Sequence, residues 1–588
     1  MKFGKLLVLC QALTLASPVL AAVAVRDEAA SALHALFDSR WDADMRDNPV
    51  RASLLGDRRF NRAWQDISSQ AEAGRLESDL ATLQALREVD REQLTETDQL
   101  NYDLFERVMR DRIEARQFEM HLMPISQRGG IQTLDETGNR LRMTTLADYE
   151  DWLARLAQVG QQVDATIALM TEGIAKGVVP PRITMERVPD QIKRQLVETA
   201  EDSLFFQPFM DIPAAIAAED AERLRADARR IITRTLVPAY QRLHDFFTRT
   251  YLPASRDTVA ASDLPNGRAW YEHRVRLFTT TSMTPDEVHQ LGLREVAENR
   301  RQMLAVMEEV GFDGDLQAFF RFLREDPRFF YRTPDELFEG YLAVSKRIDP
   351  ELVRLFGKLP RMPYGLKPIP EAIAPDTTTA YYMRPAADGS RPGYYYVNLY
   401  KPETRPKWEM EVLSVHEAVP GHHLQIALQQ ELEAMPNFRR YGGFTAFTEG
   451  WGLYSERLGF ELGLYKDPYS RFGQLTYDMW RAVRLVVDTG MHYKGWTRQQ
   501  AIDYFLENAP KTELDIINEI DRYISNPGQA LAYKLGQLKL IEMRARARRA
   551  LGDRFDVRTY HDMVLSNGAV PLDVLERMVD NWIRSQQP

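Results

Sequence analysis

Residues 145–170 read TLADYEDWLARLAQVGQQVDATIALM. Trp152, Leu156, Val159, Val163, Ile167 and Met170 recur at steps of three and four, the spacing of one helix face. Thr145 and Asp148 stand where a capping box opens a helix, each side chain satisfying the other's backbone N–H. The same device returns along the chain. Thr284-Pro285-Asp286-Glu287 and Thr333-Pro334-Asp335-Glu336 each offer an N-cap, a proline at the first helical position and a glutamate reaching back. Thr497 with Gln500 is a further case, and Leu100, Leu104, Val108 and Met109 mark another apolar stripe. The expected fold class is mainly α.

One region departs from this period. Residues 377–400, TTTAYYMRPAADGSRPGYYYVNLY, hold two aromatic-rich runs around a Gly/Pro/Asp turn, which predicts a small β-hairpin or edge strand. A soft division falls near 255–285, where Pro253, Pro265, Asn266 and Gly267 cluster. The expected organisation is a signal peptide over 1–21, an N-terminal helical lobe over 22–270 and a catalytic lobe over 271–588.

The 588 residues are 44% hydrophobic and 27% charged, a globular composition that excludes long disorder. A net charge of −10 argues against a nucleic-acid partner, which needs a basic face. The single cysteine, Cys10, excludes a disulfide framework and a Cys-rich zinc module. Residues 1–24, MKFGKLLVLCQALTLASPVLAAVA, have the basic start, short apolar core and small-residue end of a secretory signal cut after Ala21. No later run is apolar enough to span a bilayer, so the expected location is periplasmic or secreted, with no membrane span after cleavage.

The chemistry concentrates at His416-Glu417-Ala418-Val419-Pro420-Gly421-His422-His423-Leu424-Gln425, which holds three of the ten histidines. In H-E-x-x-H, two histidines at i and i+4 share a helix face, bind zinc, and the glutamate acts as base. Here i+4 is Pro420, which interrupts a helix. A bulge that absorbs two extra residues brings His422 into the place of the second ligand. His423, at i+7, shares the face of an unbroken helix but lies about 10 Å along its axis at 1.5 Å per residue. That is too far for two bonds of about 2 Å to one ion, so His422 is preferred to His423.

A third ligand is expected from Thr448-Glu449-Gly450-Trp451-Gly452-Leu453-Tyr454-Ser455-Glu456. Glu449 follows Phe444 and Phe447, an apolar setting in which a lone carboxylate is costly. Glu456, seven residues on, shares its face and suits a role orienting a ligand histidine. Downstream, Tyr533 and Tyr523 are the candidates to donate to a developing oxyanion. Tyr396 and Asn398, at the end of the aromatic run, suit binding of an extended peptide by strand addition. On the helix that carries Trp480, Arg484, Asp488 and His492 at steps of four, Arg484 or Arg481 suits a substrate carboxylate. Asp488 and His492 fit supporting positions behind the site, as does His423 if it is not a ligand.

HEAVPGHHLQ, followed by TEGWGLYSE and MWRAVRLVVDTGMHYKGW, resembles the bacterial domain-of-unknown-function 885 family. That family is similar to the gluzincin metallopeptidases: carboxypeptidase Taq, angiotensin-converting enzyme and the thimet-type oligopeptidases. The resemblance is strongest over about 390–540. It implies a large two-lobed helical molecule with a deep channel and one Zn2+ at its bottom. It also implies His416, His422 and Glu449 as metal ligands and Glu417 as general base. The departure is the two-residue lengthening between the histidines. The function expected is a secreted zinc peptidase acting on short peptides. The alternatives are a zinc amidase or esterase on a non-peptide substrate and a non-catalytic peptide-binding protein.

Overall fold

The computed structural model describes residues 18–371, 374–376, 378–387, 389 and 391–587, the side chains of 18–26 and 376 aside. Residues 1–17, most of the expected signal, lie outside them.

The molecule is mainly α. Helix α1 (Glu96–Arg116) buries Leu104 and Met109 of the predicted stripe. The stretch at 145–170 forms two helices, α2 (Leu146–Leu156) and α3 (Val159–Lys176), parted by a two-residue turn. The capping box at Thr145 is formed. Trp152, Leu156, Val159, Val163 and Met170 enter one hydrophobic core, so the apolar stripe survives the turn. Capping boxes also open α4 (Pro285–Glu309) at Thr284 and α5 (Pro334–Ile348) at Thr333.

The predicted hairpin is part of a three-stranded sheet. Strands β1 (Tyr364–Pro368), β2 (Ala380–Met383) and β3 (Gly393–Val397) run in the order β1-β3-β2. β2 pairs antiparallel with β3, Tyr382 opposite Tyr395. β1, which lacks a β-forming run, adds a parallel partner on the other side of β3. β2 is therefore an edge strand.

After the sheet come the helices that build the site: α6 (Met410–Glu417), α7 (His422–Gln430), α8 (Thr445–Glu461) and α9 (Pro468–Tyr493). α10 (Arg498–Asn508), with its capping box at Thr497, α11 (Glu513–Ser525) and α12 (Ala532–Leu551) follow. α4 packs along α9, and α8 packs along α12. Where α8 meets α12 the backbones nearly touch: a Cβ on Gly450 would lie 2.5 Å from the Cα of Gly536. Apolar packing continues across residue 270, since Phe118, Trp270, Val275, Leu485 and Leu535 share one cluster. Among the described residues, no helix is long and apolar enough to cross a membrane.

Candidate metal centre

Helix α6 stops at Glu417 and α7 starts at His422. The expected bulge in a continuous helix is instead a clean break through Ala418–Gly421. Pro420 has no N–H for the helix and its ring crowds the carbonyl one turn back. Gly421 donates its N–H to Val415 O at 2.9 Å. A Cβ on Gly421 would sit 1.9 Å from His416 O, so only glycine fits this close pass. The indole of Trp451 donates to Pro420 O at 2.8 Å, tying the turn to α8. The break swings the two helix ends together. The rings of His416 and His422 have centroids 4.7 Å apart and stand edge to face at 87°.

α8 supplies the third group. Glu449 Oε2 lies 3.4 Å from His422 Nε2 and 4.0 Å from His416 Nε2. One ligand atom from each of His416, His422 and Glu449 falls within 4.8 Å of the others. Bonds of about 2 Å around a tetrahedral zinc put ligand atoms about 3.3 Å apart, so small side-chain movements close the set on an ion. His422 and Glu449 keep 12% and 21% of their side-chain surface open, which leaves the group reachable from solvent. The donor set of two imidazoles and one carboxylate fits zinc, with a fourth position free for water.

The surroundings prepare these groups. Burial holds the His416 imidazole neutral, well below the ordinary histidine pKa, with the neighbouring His422 acting in the same direction. Its Nδ1 meets Glu456 Oε1 at 2.8 Å. A proton on Nδ1, donated to Glu456, leaves the Nε2 lone pair aimed at the cluster. Arg481 Nη2 stands 3.6 Å from the same Glu456 oxygen. Burial also works against the Glu449 carboxylate, but the hydrogen bond and charge of His422 hold its pKa below the usual range. Glu417 feels the charge of His422 too, but its own burial outweighs it. Burial raises its pKa above the ordinary value, against a backbone N–H donated by Tyr382 on edge strand β2. A carboxyl poised upward in this way suits taking and returning a proton.

Tyr533, on α12, is brought beside Glu449 by the Gly450–Gly536 crossing, and burial raises its hydroxyl pKa so that it stays a donor. Arg484 stands on α9 with its guanidinium 4.5 Å over the Tyr533 ring. Tyr523 is turned toward Arg484 and Glu519, accepting from Arg484 Nε at 2.7 Å and donating to Glu519 at 2.5 Å.

Several expectations need correction. His423 points away from the cluster: its Nδ1 meets the Tyr382 hydroxyl at 2.9 Å and its Nε2 meets Met362 O at 3.0 Å. It braces the sheet against α7. Tyr396 lies on the central strand, stacked on Tyr381 at 4.8 Å. The neighbouring Tyr395 faces Ser414 of α6, so by strand alternation Tyr396 faces the other way. Asn398 is buried, with its amide donating to Ala374 O and Thr378 O, and it organises the exit from β3. Asp488 accepts from the Tyr271 hydroxyl and Gly528 N–H, while His492 accepts from Ala261 N–H and contacts Tyr523 O. Both lock α9 to its neighbours and neither touches the cluster.

One participant was not foreseen. Gly452 lies against both imidazoles: a Cβ there would come 2.9 Å from His416 Cε1 and 3.2 Å from His422 Cε1. The signal was present in TEGWGLYSE, since two glycines inside a helix each cost about 1 kcal/mol relative to alanine and call for a packing reason.

Among curated proteins, none matches the chain. A solved crystal structure from Colwellia psychrerythraea, described as a "putative lipoprotein", is 29% identical. It superposes with a TM-score of 0.89 over 95% of this chain and 99% of its own. A second, from Shewanella oneidensis and given the same description with unknown function, is 16% identical, with a TM-score of 0.70. It covers 92% of this chain and 98% of its own, and it shows the shared fold alone. The model of the family described as "Bacterial protein of unknown function (DUF885)" matches residues 49–579, and the chain belongs to that family.

Proposed function

We propose that this chain is an extracytoplasmic zinc-dependent peptidase that cleaves short peptides. The observation that carries the reading is the convergence of His416, His422 and Glu449, from three different helices, with Glu417 at the end of the first. The pairing of a His-Glu sequence with a downstream glutamate resembles the gluzincin arrangement and supports the same use. A zinc ion held by these three residues would acidify a bound water and polarise a scissile carbonyl. Glu417 takes the water's proton and delivers it to the departing amine. Tyr533 donates to the carbonyl oxygen as negative charge builds on it. Glu456 fixes the His416 tautomer throughout. The edge strand β2, which meets Glu417 through the Tyr382 N–H, stands where an extended peptide would pair, which favours a peptide over other acyl substrates. The lipoprotein description of the Colwellia protein supports a location outside the cytoplasm.

The test is metal analysis of the purified chain and of Glu417→Gln, beside turnover of a mixed peptide library read by mass spectrometry. One zinc per chain is expected in both, with cleavage only in the wild type. Cleavage retained by the variant, or a wild type that takes up no zinc, refutes the proposal.

A further inference from the structure

We infer that this centre binds substrates through a free C-terminal carboxylate, with Arg484 as its receptor, so that the enzyme trims peptides from the C-terminus. The inference rests on the peptidase reading above.

Arg484 is only 5% exposed. Its Nε donates to the Tyr523 hydroxyl at 2.7 Å and its Nη2 to Glu519 Oε2 at 3.0 Å. Its Nη1 is buried with no partner. A guanidinium presents five N–H donors in a fixed fork, and buried donors are nearly always matched. The unmatched end of Arg484 therefore calls for an acceptor the chain does not itself supply. Its location is functional: the guanidinium covers the ring of Tyr533, and its charge acts on both His416 and Glu449.

The charge balance gives the sign of that acceptor. Glu519 serves both Arg484 and Arg522, taking Arg522 Nε at 3.2 Å and Nη2 at 3.0 Å. Arg522 Nη1 continues to Gln529, and Gln529 to the Tyr533 hydroxyl, so this network ends at the centre. Arg128, exposed, is close enough for the charges of Arg522 and Glu519 to act on it, and among the described residues it forms no ion pair with a carboxylate. Three arginines less Glu519 and Glu449 leave a surplus of one positive charge. Arg481, one turn away on α9, does not change the count, because it sits against Glu456. A carboxylate fits both the surplus and the planar fork of a guanidinium.

The test measures binding by calorimetry to zinc-loaded, full-length Glu417→Gln, which holds substrate without turnover. The probes are acetyl-tetra-alanine as its free acid, the same peptide as its C-terminal amide, and an amide ending in glutamate. At least tenfold tighter binding of the free acid than of either amide is expected. Adding Arg484→Gln should erase the preference while zinc content stays the same, and Arg484→Lys should restore part of it. Equal binding of acid and amide, no detectable binding of the acid, or a preference that survives Arg484→Gln overturns the inference. A glutamate amide that binds as well as the free acid overturns the terminal assignment. If Arg484→Gln does not fold, Arg128→Gln decides: a preference reduced severalfold supports the surplus charge, and an unchanged one refutes it. A wild type that holds zinc and cleaves peptides without acid preference refutes this inference alone. A chain that prefers the acid but holds no zinc and cleaves nothing refutes the peptidase reading instead.

Discussion

Nδ1 of His416 and Oε1 of Glu456 stand 2.8 Å apart, and the Glu456 side chain has no exposed surface. Burial pushes that carboxyl up to about 8, against the nearby charges of Arg481 and Lys534. A cation bound on the far side of the imidazole would favour its charged form through the ring. Glu456→Gln should keep the fold and lower zinc affinity by about 10–100-fold, the usual cost of losing such a partner. Competition against a graded series of chelators measures it, and an unchanged affinity would remove Glu456 from the centre.

Gly452 separates helix stability from metal binding. Alanine at a helix interior gains about 1 kcal/mol over glycine in propensity. Here the added methyl would stand 2.9 Å from His416 Cε1, so the ring must move. Gly452→Ala should melt within a few degrees of wild type while losing much of its zinc, and Gly452→Val should hold none. Calorimetric melting and metal content, read on the same samples, check both halves.

The two adjacent histidines should behave oppositely. His422→Ala removes a group of the cluster, so the chain should lose zinc with little change in the stability of the metal-free form. His423→Ala leaves Met362 O and the Tyr382 hydroxyl without their partner. It should keep zinc and lose about 1–3 kcal/mol in denaturant unfolding. The reverse pattern would exchange their roles.

Asp488, which does not touch the cluster, predicts a pH dependence of stability. Burial raises its carboxyl from 3.8 to about 7, against hydrogen bonds from Tyr271 and Gly528. The folded chain therefore binds this proton more tightly than the unfolded chain does. Its contribution favours the fold below about pH 4 and is lost as pH rises to 7. Oδ1 accepts from both partners, so Asp488→Asn can keep the contacts without titrating. The variant should gain stability relative to wild type between pH 4 and 7, read from denaturant midpoints at each pH. A constant difference across that range would mean the carboxyl does not titrate there.

What was readable in the sequence was what is local. Capping boxes at Thr145, Thr284, Thr333 and Thr497 join residues three apart, and all four are formed. The β2–β3 pairing was visible because its turn lies within the same aromatic stretch. β1 was not, since Tyr364–Pro368 contains Gly365 and Pro368 and owes its strand conformation to a parallel partner distant in sequence. Pro420 announced that the helix is interrupted and that His422 returns beside His416, yet not that the interruption is a full break through Ala418–Gly421 rather than a bulge. Helical spacing sets Asp488 one turn on from Arg484. Arg484 meets the carboxylate of Glu519, supplied by α11, and no periodicity within α9 could reveal that.

Trp451, whose indole holds the Pro420 carbonyl, belongs to the same helix as Glu449, Gly452 and Glu456. One rigid rod thus grips the turn, presents a ligand, seats both rings and steadies the first of them. Slippage of that rod by a single residue would undo every one of these engagements together. Loss of the cluster on heating should therefore coincide with the melting of that helix in a single cooperative event.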